Sequence, residues 1–296
     1  MISAFSTGNM LVDDQTTLEG IFAATDLLVA THCENTPMIL QAEADAAAKW
    51  GEDIPFQEHP NIRSEDACYA SSSLAVGLAR KYGTKLHVLH LTTAKEMELF
   101  DIGPLENKRI TAEACVHHLF FSADDYAERG AFIKCNPAIK TAADRAALLK
   151  AVAEDRIDVI ATAHAPHTLA ERSRTYAGAP AGLPLVQHAL VSLMERVEDG
   201  TFSIEHMVRK TSHAPAILYQ VAERGFLREG YFADFTLIAP NTSSEDEPVL
   251  SKCGWSPFSG YRFKHRIAGT WVNGHQRYDG QQVLDGPYGQ ALAYQR

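Results

Sequence analysis

The sequence predicts an α/β protein in which parallel strands are covered by helices, followed by a small all-β module. Three observations carry this. Short apolar, β-branched runs alternate with longer stretches of helical periodicity. Those runs are apolar on both faces, as expected of strands buried between helices. After about Val221 the texture changes to short strands punctuated by glycine turns. A (β/α)₈ barrel and an open doubly wound sheet both satisfy the first two.

Taken in order, Asp26-Leu-Leu-Val-Ala-Thr-His32 reads as a strand ending on a histidine, and alanine-rich Ile39 to Trp50 as a helix. Glu65 to Tyr82 repeats apolar residues at helical spacing, and Gly83 stops it as a C-cap does. Lys85 to Leu91 is the second strand and Thr93 to Phe100 the next helix. Arg109 to Cys115 is the third strand, Ala142 to Glu154 a helix, and Ile157 to Ala163 the fourth strand. Leu183 to Val197 and Ile204 to Lys210 are helical. Gly225 to Ile238 and Arg266 to His275 then read as short strands, with Asn273-Gly274 a hairpin signal and a loose tail beyond Gly280. The domains expected are residues 1–222 for the partial barrel and 223–296 for the β module and tail.

Composition narrows the function. The 296 residues are 46% hydrophobic, enough for one large domain and a small one. A formal charge of −10 argues against nucleic-acid or anionic-membrane surfaces, which need a basic stripe. Five scattered cysteines, never in a C-x-x-C pair, argue against a disulfide framework or zinc knuckle and fit a reducing cytoplasm. No secretion signal and no apolar run of membrane-spanning length are present in the sequence.

The strands end in chemistry. No G-x-G-x-x-G or Walker loop follows any of them, but several carry His, Asn or Glu at their C-terminal ends, where (β/α)₈ barrels gather their active sites. His32 ends the first strand; alone, such a histidine is more often structural than a ligand. His87 and His90 are three apart in a strand and so point to opposite faces. His90 is the site candidate, and His87 is expected against the helices. Glu113, His117 and His118 follow the third strand, the histidine pair expected as one buried and one solvated ring. Asn136 precedes a proline and offers a donor and an acceptor. The strongest local feature is the rigid turn His164-Ala-Pro-His167 at the end of the fourth strand.

Together the segments resemble the dihydroorotases and their allantoinase and hydantoinase relatives. The stretches that carry the resemblance are Ser6 to Asp13, Thr31-His-Cys-Glu-Asn35, Leu86 to Ala94, Ala112 to Phe120, Lys134-Cys-Asn-Pro137, Ala161 to Thr168, Gly182 to Gln187 and Lys252 to Pro257. The resemblance implies the latter half of a (β/α)₈ TIM barrel of the metal-dependent amidohydrolase type, with a small β-sandwich module. It implies a two-zinc hydrolase that interconverts dihydroorotate and carbamoyl aspartate in pyrimidine synthesis. His32 and His90 match two ligands of the second zinc. Asn136 and His167 match residues that hold the ring and its carboxylate, and Gly182 lies in a loop whose backbone contacts the ring. Two departures follow. None of the thirteen histidines forms the H-x-H of the family's first strand, and the bridging lysine would lie upstream of the start, so a chain truncated at its N-terminus is expected. Ala163 stands where the family has the aspartate that binds metal and carries the proton. An impaired or inactive enzyme with at most a partial zinc site is therefore expected. A non-catalytic subunit, as a homodimer or beside another pyrimidine enzyme such as aspartate transcarbamoylase, is the alternative, and an allantoinase or hydantoinase a further one.

Overall fold

The structure, a computed structural model, describes residue 12 and residues 14–243, 248–286 and 288–295; the Ser6 to Asp13 stretch, Val12 apart, lies outside them. Two compact units form, one reaching to Gln187 and including Val249–Ser259, the other comprising His188–Pro248 and the chain from Gly260 onward.

The first unit is built on four parallel strands in sequence order: β1 (Val29–Thr31), β2 (Leu86–Val88), β3 (Ile110–Cys115) and β4 (Val159–Ala161). They are the four strands read from the sequence, each shortened. The pairing sets Val29 opposite Leu86, Leu86 opposite Ile110, and Cys115 opposite Ala161, so all four C-terminal ends open on one edge. Leu86 and Val88 of β2 are fully buried, as is Ala112 of β3. A parallel sheet covered on both faces requires that.

Helices fill the crossovers, and local chemistry fixes their ends. α1 (Gln15–Ala24), which the sequence reading missed, begins where the Asp14 carboxylate accepts from Thr17 N. In α2 (Thr36–Trp50) Asn35 caps the start by accepting from Met38 N, and a proline occupies the first turn. α3 (Glu65–Tyr82) matches its sequence bounds. Ser64 accepts from Ala67 N, Glu65 and Asp66 sit in the first turn, Arg80 and Lys81 in the last, and Gly83 closes it at φ 69°. Thr93 to Phe100 forms a 3₁₀ segment, Lys95–Leu99, rather than an α-helix. A short helix, α4 (Val116–Phe120), follows β3 directly. α5 (Ala142–Ala153) opens with a capping box of Thr141 and Asp144, and Asp144 also accepts from Ala94 N at 2.8 Å.

In the second unit, helix α6 (Ala189–Glu198) contacts an antiparallel sheet of β5 (Phe235–Pro240), β6 (His265–Val272) and β7 (His275–Tyr278). Asn273 and Gly274 join β6 to β7 at φ 53° and 80°, the left-handed pair a tight hairpin turn needs. Residues 225–234, read as part of a strand, are turns, and the strand starts only at Phe235. The tail is not loose: Ala222 N donates to Ala293 O and Gln295 N to Gln220 O, a short antiparallel bridge to Val221.

Asp144→Ala would remove the capping box and strand the Ala94 amide. A loss of about 1–2 kcal/mol is expected, read as a lower urea midpoint; an unchanged midpoint would remove Asp144 from the determinants of the fold.

Candidate functional site

The shared strand edge carries a cavity of about 570 Å³, whose walls include His32, His90, Asn136, Ala163, His167 and Gly182. The size suits a small ring compound. All six residues singled out from the sequence thus meet at one place.

His32 follows β1 directly, and its ring is oriented from both sides. Nε2 lies 2.8 Å from Glu34 Oε2, and Nδ1 lies 3.1 Å from His90 Nε2. Glu34 is fully buried and also accepts from Arg63 Nη1 at 2.6 Å. Burial alone would raise its pKa, but the Arg63 charge and the His32 hydrogen bond outweigh it and hold the carboxyl down at about 2. A permanent carboxylate therefore stands behind His32, the usual support for a metal-binding imidazole.

His90 reaches the same point by a different route from the one its spacing implies. β2 ends at Val88, and His90 turns out of the strand with φ 38°, so strand alternation does not govern it. Its amide donates toward Glu113 Oε1 at 3.3 Å. Burial and the nearby His32 ring lower its pKa to about 4, keeping it neutral with an open electron pair. Two nitrogens on one tetrahedral zinc ion stand about 3.3 Å apart. The 3.1 Å separation of the His32 and His90 nitrogens therefore fits a pair of ligands to one ion. His87 is tied to the neighbouring strand, with Nδ1 2.9 Å from Thr111 Oγ1 and Nε2 3.4 Å from Glu113 Oε2.

His117 and His118 correct the expectation of one solvated ring. Both are buried, with ring centroids 3.9 Å apart. Burial lowers the pKa of His117 to about 3 and that of His118 well below its ordinary value. His117 also lines the cavity.

The opposite wall is backbone-rich. Asn136, at a cis peptide bond to Pro137, has a buried Oδ1 without a partner. His167 Nε2 lies 3.2 Å from the Ala181 carbonyl, and the Trp255 indole donates to His167 O at 2.7 Å. Gly182 has φ 143°, and a Cβ there would sit 2.6 Å from Ala165 O, so only glycine lets the two segments approach. His164 lies outside the cavity lining and serves the backbone: its Nδ1 accepts from the Leu185 and Val186 amides at 3.0 and 3.2 Å. Ala163 is exposed at φ 49°, a left-handed conformation rare for alanine and better tolerated by Asp or Asn.

The sequence profile of the amidohydrolase family matches residues 15–277. An allantoinase of Bacillus velezensis is 30% identical over 285 residues, 95% of this chain and 62% of that protein. A dihydroorotase of Halobacterium salinarum is 32% identical over 294 residues, 95% of this chain and 67% of its own length. Among solved structures, the L-hydantoinase of Arthrobacter aurescens superposes with a TM-score of 0.88 at 21% identity, covering 98% of this chain and 67% of that one. The chain thus spans between three fifths and about two thirds of these relatives. The structural likeness gives the fold, and the four parallel strands belong to a (β/α)₈ TIM barrel. Among the described residues no helix is long and apolar enough to cross a membrane.

His59, His90, His117 and His118 are all fully buried with lowered pKa values. The unfolded chain takes up their protons below pH 6.5 while the fold does not, so their stabilisation holds above that pH and is lost as pH falls. Each contributes about 1 kcal/mol between pH 7.5 and 5.5. The urea midpoint of the metal-free protein should drop markedly over that interval; a midpoint that holds or rises would show that these rings are not buried neutral.

Proposed function

The chain belongs to the amidohydrolase family, and from that premise we propose that it is a dihydroorotase-type protein that binds a carboxylated cyclic amide but hydrolyses it poorly or not at all. The observation that carries this reading is Ala163: a methyl group stands in the wall of a cavity that otherwise presents His32, His90, Asn136, His167 and Gly182.

In this reading His32 and His90 hold a zinc ion through the nitrogens that face each other, with Glu34 fixing the His32 ring. Zinc, when bound, supplies an acidified water and polarises a carbonyl. Asn136 offers its unpartnered oxygen to a ring N–H and its amide to a ring carbonyl. The Ala181 carbonyl can only accept, so His167 carries its proton on Nε2. Gly182 leaves room for the ring against the backbone. What the wall lacks is a group at position 163 to take the water's proton and pass it to the leaving nitrogen. General-base loss costs about 10²–10⁴ in rate. Among the described residues this zinc draws on two histidines, fewer than the three protein ligands usual for a catalytic zinc.

The carboxylate-binding role of His167 and the ring-facing Asn136 favour dihydroorotate and carbamoyl aspartate over allantoin or hydantoin. The second reading is a non-catalytic subunit, which the same Ala163 favours. Cytoplasmic residence and a role in pyrimidine synthesis accompany the first.

Calorimetric titration with dihydroorotate, allantoin and hydantoin, beside zinc-supplemented turnover assays, tests the reading. Binding confined to dihydroorotate, with turnover at or near background, is expected. Preference for an uncharged ring would overturn the substrate, and turnover at rates typical of enzymes would overturn the impairment. Ala163→Asp should raise zinc affinity at least tenfold and leave the urea midpoint unchanged or higher, because aspartate tolerates the backbone there; no gain in affinity would remove position 163 from the metal site.

A further inference from the structure

The end of β3 holds a group of donors that the reaction above leaves unused. One donor atom each from Cys115, His117 and His118 lie within 4.8 Å of one another, and all three side chains are buried. Cys115 ends the strand, and the two histidines are the second and third residues beyond it, in α4. The strand-to-helix turn folds three consecutive donors back onto one point.

Hydrogen bonding at His118 decides which nitrogen is bare. Nε2 lies 3.1 Å from the Pro137 carbonyl, which can only accept. The proton of the neutral ring is therefore on Nε2, and Nδ1 carries the free electron pair. That Nδ1 is buried and has no partner; the same holds for Nδ1 of His117. An imidazole with one N–H on a carbonyl and its other nitrogen bare is the arrangement that metal-binding histidines adopt. Cys115 Sγ lies 3.8 Å from Glu113 Oε1, too far for a strong hydrogen bond. Three buried polar groups packed for shape alone would be expected to satisfy each other or the backbone, and here two ring nitrogens do neither.

We propose that Cys115, His117 and His118 form a second cation site, separate from the His32 and His90 pair and selective for thiophilic ions such as zinc, cadmium or cobalt. A thiolate with two imidazoles is a soft, tetrahedral donor set with one position left over. His117 borders the cavity, so that position faces the space where water or a ligand can complete the sphere. Donor spacings around a zinc ion are about 3.3–3.6 Å, so binding draws the three atoms together by about 1 Å from their present limit. The Cys115 thiol releases one proton to solvent as the ion binds, and no redox change occurs. The site does not depend on the proposed reaction, since none of its ligands takes part in it.

Titration of the metal-free protein with Co²⁺, followed by absorption, tests the assignment. A thiolate-to-cobalt charge-transfer band at one equivalent is expected in the unaltered protein, in His32→Ala and in Cys135→Ser. Cys115→Ser should lose the band, and His117→Phe should weaken cobalt binding by about 100-fold or more. No band in the folded unaltered protein, or a band that persists in Cys115→Ser, would overturn the site. Should Cys115→Ser fail to fold, His117→Phe decides: full affinity for cobalt with the band intact would equally overturn it.

Discussion

The first unit is organised around a buried charge. Glu34 sits between Arg63 and His32, wholly out of water, and its carboxylate is held ionised by both. Burying a carboxylate unpaired would cost several kcal/mol, and breaking such a pair typically costs about 3–5 kcal/mol. The segment after β1 and the turn before α3 are therefore locked to each other. One imidazole is fixed as a consequence, and the ring facing it across 3.1 Å inherits its position.

Everything else at the strand edge is arranged around that fixed ring. Parallel register delivers four chain segments to one rim, but register alone does not aim side chains. The aim comes from departures from regular structure: left-handed backbone at His90 and Ala163 and a close approach at Gly182. Such departures are costly locally and persist where the surroundings over-determine them. All three line the same cavity.

Sequence legibility followed the range of the forces involved. The bounds of α3 were readable because Ser64, Glu65, Asp66 and Gly83 set them within a few residues of each end. The four strands were readable because burial on both faces leaves an apolar run, whereas their order in the sheet was not. What was not readable depended on distant partners. The apolar run reads as strand to Leu91, yet the chain leaves the strand at Val88 and brings His90 to a ring 58 positions earlier. The tail looks loose in sequence because the segment that pairs with it, around Val221, lies about 70 residues away. The six residues that line one cavity were brought together by resemblance; spacing alone gave single histidines at strand ends and the two-histidine turn from His164 to His167. His117 was noticed as one of a pair, and only the three-dimensional turn shows that both rings are buried beside Cys115.

The conformation at position 163 bears on what that position can accept. A left-handed alanine is held in a shape that suits an acidic side chain better than its own. The loop would hold a carboxylate there without rearranging. Alanine and aspartate codons can differ at the second base alone, and the backbone would need no remodelling to receive the change. A carboxylate at position 163 is thus one base away, and the left-handed backbone does not oppose it.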